Sequence, residues 1–345
     1  LKKAVLSEHS YIIEFSAYYL PPENPACRKA ALETPLITVQ DIAYVRYQAP
    51  DLDRMEAFLL DFGLQRAART ESVLYMRALG SAVPVHITEW APAPATPGFG
   101  LKARTGDDLD RLAAELGTRV EDSPEPGLGR RVRFTDPAGF QVDVLHAEAV
   151  AADRTWRVAT ALNDHDQTRR TGAPVRVAPA PSHVMRLGHA LLLVPNLPAW
   201  VDFYERLLGF KPSDTYYGGA PDNTVAAFLH CGLGQGWTDH HTLAAAAAQD
   251  GRARFDHTAF EVLDLDDLMQ GGEHLLKRQH RRSWGVGRHI QGSQIFDYWR
   301  DPFGNKIEHW TDGDLVNDDT PVGRAAMAPG ELAQWGPPLT PEFFD

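Results

Sequence analysis

Hydrophobic and polar positions change period in a recurring order along this chain. The run VQDIAYVRYQAP reads as a strand, DLDRMEAFLLDFGL spaces its apolar residues three and four apart as an amphipathic helix does, and SVLYMRAL and VPVHITEW return to short strand-like runs. FGLKART, DDLDRLAAEL and RRVRFTDPAGFQVDVLH repeat that succession. So do RLGHALLLVPNLPAWVDFYERLLGF and, after it, FDHTAFEVLDLDDLMQGGEHLL with WRDPFGNKIEHW. Pro50 and Pro195 end equivalent opening strands, and Gly63 and Gly209 close the helices that follow. Each unit reads strand, helix, then about three strands, and one such unit cannot bury its sheet alone. The pattern therefore predicts an α+β fold of two domains, each a pair of βαβββ modules curving their sheets around a shared cleft.

The polar, Pro- and Ala-rich stretch 151–182 reads as a linker between a first domain over 37–150 and a second over 183–312. Residues 1–36, with the turn cluster PPENP, read as an N-terminal arm laid over the first domain or partly disordered; 313–345 read as an extended tail that packs through Phe343 and Phe344. The alanines 244–248 are expected at a strand end entering a loop, GLGQGW and GVGRHI as turns, and Lys277–Arg282 (KRQHRR) as a solvated helix end or loop.

The length of 345 residues suffices for two cores. A net charge of −12 argues against nucleic acid as a partner, since phosphate binding needs a concentrated basic surface. No stretch of about 18 uncharged apolar residues is present, and charge interrupts the apolar start, so neither a membrane span nor a cleaved signal is expected. Cys27 and Cys231 lie in unlike contexts and read as reduced thiols of a soluble, cytoplasmic protein.

The chemistry concentrates in the second domain. His189 sits in the opening strand of the third unit, His257 at the equivalent place in the fourth, and Glu308 in that unit's closing strand. Repeat-related strands can bring two imidazoles to one spot beside a carboxylate. That set leaves three adjacent metal positions open and suits non-haem Fe(II), with Mn(II) compatible; structural zinc prefers four closed ligands. In the first domain the same places hold Tyr44, Gly98 and Asp143, a single carboxylate without imidazoles, so that domain is expected to shape or pack rather than bind metal.

Residues 183–312 resemble the catalytic domain of the type I extradiol dioxygenases of the vicinal oxygen chelate superfamily, through GHALLLV, DHHTLA, FDHTAFEV, GRHIQGSQIFDYWRDPFG and NKIEHW in that order. The first domain resembles the family's non-catalytic domain more weakly, and residues 1–36 are not covered. The resemblance implies Fe(II) on His189, His257 and Glu308, an acid–base role for His241, a substrate-contacting His289 and an active-site Tyr298; His240 competes with His241 within the DHH pair. It also implies extradiol (meta) cleavage of a catechol-type diol with both atoms of O2, in aromatic-compound catabolism, by a homo-oligomer. His241 would act first as general base and then as general acid, while His289 and Tyr298 hydrogen-bond reacting oxygens. Strand alternation sets Leu191 on the face of His189 and Phe296 on that of Tyr298. Two other readings stay open. A glyoxalase-like lyase or isomerase would want a fourth protein ligand, for which the sequence offers no candidate. A non-catalytic protein that binds an aromatic ligand would not need His241, His289 or Tyr298.

Overall fold

The computed structural model describes residues 34–148, 152, 155–328, 330, 332–340 and 343; the arm up to residue 33, with Cys27, and Phe344 lie outside them. The first domain consists of β1 (Val39–Ala49), α1 (Leu52–Phe62), β2 (Gln65–Arg69), β3 (Val73–Arg77) and β4 (Pro84–Trp90), then β5 (Ala95–Ala103), α2 (Gly106–Leu116), β6 (Val120–Asp122), β7 (Arg130–Thr135) and β8 (Gln141–His146). These form one eight-stranded sheet in the order β2-β3-β4-β1-β5-β8-β7-β6. Two βαβββ modules thus lie side by side, joined where β1 pairs antiparallel with β5.

The second domain repeats the plan with β9 (Val184–Val194), α3 (Leu197–Leu208), β10 (Phe210–Tyr217), β11 (Thr224–Cys231), the short β12 (Thr238–Asp239) and β13 (Leu243–Ala247). It continues with β14 (Arg254–Val262), α4 (Leu265–Lys277), β15 (Arg281–His289), β16 (Ile295–Arg300) and β17 (Lys306–Thr311). Beyond it, β18 (Leu315–Val316) pairs with β12, while β19 (Gly323–Ala326) and β20 (Ala333–Trp335) close the two edges of a ten-stranded sheet ordered β19-β10-β11-β13-β9-β14-β17-β16-β15-β20. The tail therefore pairs with edges that would otherwise be open, and it anchors through Phe343, buried against Trp284 and Tyr298.

Local chemistry explains the helices. Asp51, Thr105, Asn196 and Asp264 each accept from a backbone N–H of the first turn, and Gly63, at φ 110°, and Gly209, at φ 73°, take the left-handed C-cap that the repeat predicted. The linker is tied to the same device: Arg157 donates to both oxygens of Asp264 at 2.6 Å.

The alanine run is the end of strand β13 entering the turn after Ala247, as expected; the strand lies between β9 and β11 inside the sheet, where Ala244 and Ala245 are buried and small side chains suit the tightly covered place. Two other sequence expectations are corrected. GVGRHI lies largely in β15 rather than a turn. Gly287 is needed there because a Cβ would meet the Phe296 ring at 2.4 Å. The basic run does leave the end of α4, but it is not simply solvated: Arg278 and His280, with His274, converge on Asp61 of α1.

One apolar core extends across both domains. Phe62 of α1 stacks on His309 at 3.7 Å and meets Phe260 edge-on, and Tyr47 shares a hydrogen bond of 2.9 Å with Thr258. Asp136, in the turn before β8, accepts from Trp200 Nε1 at 2.8 Å and from the Tyr204 hydroxyl at 3.0 Å, both on α3. Asp136→Ala strands these buried donors and is expected to cost about 3 kcal/mol in urea unfolding, with Asp136→Asn milder because its one oxygen still serves either this pair or the Ala138 and Phe140 N–H groups on the other side. No helix among the described residues is long and apolar enough to cross a membrane.

Candidate metal centre

The centre of the second sheet sets the site. Ala259 of β14 is the register partner of both His189 on β9 and Glu308 on β17, so these two flank it in one row across three strands. His257 lies two residues before Ala259, hence on the same face. Ala259 is too small to fill the space between its neighbours. The ligand atoms of His189, His257 and Glu308 lie within 4.8 Å of one another, and this is the one group of three or more metal-ligand side chains that converges among the described residues.

The geometry fits a metal better than hydrogen bonding. Glu308 is fully buried, and His189 Nε2 and His257 Nε2 stand 3.4 and 3.3 Å from its Oε2, yet neither carboxylate oxygen has a hydrogen bond. A buried carboxylate left this way is costly unless a cation occupies the gap. Ligands about 2 Å from a common six-coordinate ion lie about 3 Å apart, near the spacing seen here. Burial disfavours the charge on Glu308, but the two imidazoles outweigh it and hold the carboxyl well below its usual range.

The imidazoles themselves differ. Burial lowers the pKa of His189, whereas for His257 burial is outweighed by the hydrogen bond to Asp256 and the nearby Glu308 carboxylate, and the pKa rises. His257 Nδ1 donates to Asp256 Oδ2 at 2.8 Å; His189 Nδ1 is buried without a hydrogen-bond partner. Both rings therefore present Nε2 to the shared point.

The remaining candidates surround this point. The His241 ring is 4.1 Å from that of His189, and burial, reinforced by His189, lowers its pKa well below the ordinary histidine value. His240 stands one step behind: its Nδ1 is 3.0 Å from His241 Nδ1 and its Nε2 donates to Asp214 at 2.6 Å. His289 donates from Nδ1 to the Leu332 carbonyl at 2.8 Å, which leaves Nε2 to accept from the Tyr298 hydroxyl at 2.9 Å. Burial, and then the Glu308 charge, raises the Tyr298 pKa well above its usual value, so the phenol stays protonated. Phe296 packs against His289 at 4.2 Å, and Leu191 is the register partner of His257. A separate cleft of about 480 Å³ between α1 and the turn at Asp301–Gly304 contains none of these residues.

The sequence pattern did not single out Asp256 or the Leu332 carbonyl. Regular alternation sends Asp256 to the face opposite His257, but the register shifts between Phe255 and His257, and this bulge turns the carboxylate toward its neighbour. A backbone carbonyl arriving from 43 residues away has no sequence signature.

The first domain shows how the same frame looks without metal chemistry. Gly100 pairs with both Tyr44 and Asp143, as Ala259 does with His189 and Glu308. The Tyr44 ring lies 2.6 Å from where a Gly100 Cβ would be, so it fills the space, and its hydroxyl donates to Asp143. Arg133 donates to both oxygens of Asp143 at 2.7 Å, and Arg46 and Arg131 pair with Glu125. Cations of the protein's own occupy the place.

Residues 186–309 match the Glyoxalase/Bleomycin resistance protein/Dioxygenase superfamily. The chain is 31% identical to metapyrocatechase 2 of Cupriavidus necator over 331 residues, 92% of this chain and 94% of that protein. It is 24% identical to the biphenyl-2,3-diol 1,2-dioxygenase of Paraburkholderia xenovorans LB400, covering 79% and 88% respectively. Among solved structures it is similar to a Mn(II)-bound glyoxalase from Novosphingobium aromaticivorans, at TM-score 0.71 and 26% identity over 89% of this chain and 94% of the other. It shares its fold with the homoprotocatechuate 2,3-dioxygenase of Brevibacterium fuscum, at TM-score 0.73 and 22% identity over 90% and 92%. With repeated βαβββ modules, a buried His–His–Glu cluster and this end-to-end similarity together, the chain belongs to the extradiol ring-cleaving dioxygenases of that superfamily.

Proposed function

We propose that the chain cleaves a catechol-type diol next to its hydroxyl-bearing carbons, using one Fe(II) held by His189, His257 and Glu308. The observation that carries this reading is the convergence of three ligand atoms, two imidazole nitrogens and an oxygen of a carboxylate lacking any hydrogen bond. Three protein ligands leave room on one metal for two diol oxygens and O2 together. The bound metal would lower a diol pKa and let electrons pass from the ring to oxygen. Mn(II) suits the same ligands, and the resemblance to a Mn(II)-bound glyoxalase makes a lyase or isomerase the second reading. Against that reading, no fourth histidine, cysteine or carboxylate joins the cluster among the described residues.

The side chains divide the proton work. Asp214 can only accept when ionised, so a neutral His240 carries its proton on Nε2 and accepts at Nδ1 from His241 Nδ1–H. His241 then turns the lone pair of Nε2 to the site. Kept neutral by burial, it takes the diol proton and later returns it to the leaving oxygen. Tyr298 keeps its one hydroxyl proton on His289 Nε2 beside the centre, and it would donate that proton to a reacting oxygen only by giving up this bond. Phe296 and Leu191 supply apolar surface against the ring, and the first domain braces the sheet from behind.

Product analysis under ¹⁸O₂ separates the two readings. Ring cleavage adds two labelled oxygens to an open-chain semialdehyde acid, whereas a lyase or isomerase adds none. Unlabelled product from an aromatic diol contradicts the proposal.

A further inference from the structure

We infer that Asp256, held in place by Lys306, is the positioning residue that fixes metal ligand His257, and that the C-terminal tail closes this support through Phe343. The inference rests on the metal centre proposed above. His257 Nδ1–H points at Asp256 Oδ2, 2.8 Å away, so the ring can turn only Nε2 toward Glu308. An imidazole free to rotate or change tautomer would offer Nε2 for part of the time only; one bound to a carboxylate is fixed in both respects. Asp256 is itself held. Lys306 Nζ, on the neighbouring strand and the register partner of His257, reaches both of its oxygens at 3.2 Å.

Lys306 is only 3% exposed, a rare condition for a lysine, and the Phe343 ring covers its ammonium at 3.7 Å. The same ring touches Tyr298, at 5.3 Å between centroids. A line of contacts thus runs from the tail through an ammonium and a carboxylate to one metal ligand. His189 has no counterpart, because its Nδ1 bonds to nothing and its ring is held by packing against His241 and Trp310. The first domain lacks the arrangement altogether: the places of His257 and Lys306 hold Gly98 and Gln141. The two imidazoles are therefore unequal, one anchored by charge and one by shape.

The test compares full-length wild type, Asp256→Ala, Asp256→Asn and Lys306→Met, purified anaerobically. Fe(II) affinity is read by chelator competition and ligand geometry by the visible bands of the Co(II)-loaded protein, with urea unfolding of the metal-free forms as a check on folding. Asp256→Ala is expected to weaken Fe(II) binding roughly 10–100-fold and to shift the Co(II) bands. Asp256→Asn should restore most of the affinity, since its amide oxygen still accepts the Nδ1 proton. Should the alanine variant not fold, Lys306→Met carries the test and must weaken binding in the same direction. Wild-type affinity in Asp256→Ala, or in Lys306→Met where that variant carries the test, or an asparagine variant as weak as the alanine, overturns the inference. Wild type that takes up neither metal overturns the metal centre itself.

Discussion

A Glu308→Ala protein is expected to leave anaerobic purification without iron and to cleave no diol at a measurable rate. Glu308 is the only anionic member of the triad, and it is the residue toward which both Nε2 atoms point at 3.3–3.4 Å. Without it two neutral imidazoles remain, and the ion loses its one charged ligand in a buried place where charge is poorly screened. A metal contributes several kcal/mol of stabilisation to such a reaction, and each ~1.4 kcal/mol is tenfold in rate, so turnover should fall by about 10³-fold or more. Metal analysis and oxygen consumption on the same preparation check both halves. Glu308→Gln, which keeps the volume and removes the charge, should resemble alanine in iron content.

His241→Ala should behave in the opposite way toward metal. Its ring is beside His189 but is not one of the three converging ligands, so iron content should stay near wild type. Turnover should fall by roughly 10²–10⁴-fold, the usual effect of removing a positioned acid–base group. His240→Ala separates the neighbours of the DHH pair. It leaves His241 in place but removes the partner that orients its Nδ1, so a smaller loss is expected. Equal losses in both variants, or full activity in His241→Ala, would move the acid–base role away from His241.

Much of the frame was legible because repetition converts periodicity into position. Once His189 and His257 are read as equivalent residues of repeated strands, the register that brings them together with Glu308 follows from β9 pairing with β14 and β14 with β17. The same logic predicts Tyr44, Gly98 and Asp143 as the non-metal counterpart, and the Tyr44 ring does fill that space. What escaped the sequence depends on departures from regularity or on distant backbone. Asp256 reaches His257 because of a bulge, and His289 is oriented by a carbonyl of the tail. For alanines 244–247, read as a strand end, it was the inner place in the sheet between β9 and β11 that went unseen, since alanine has weak strand preference and packing decides there. Gly287 looked like a turn residue; its cause is the Phe296 ring, which takes the space a Cβ would need.

One iron at this triad should turn an aromatic diol and O2 into a ring-opened product, and oxygen consumption by the anaerobically iron-loaded full-length protein, followed with a panel of catechols differing in ring substituents, measures that directly. One O2 should be consumed per diol with at least one member of the panel, with a yellow semialdehyde product appearing in step and both ceasing in Glu308→Ala. Full occupancy by one Fe(II) per chain with no oxygen uptake from any diol would contradict it.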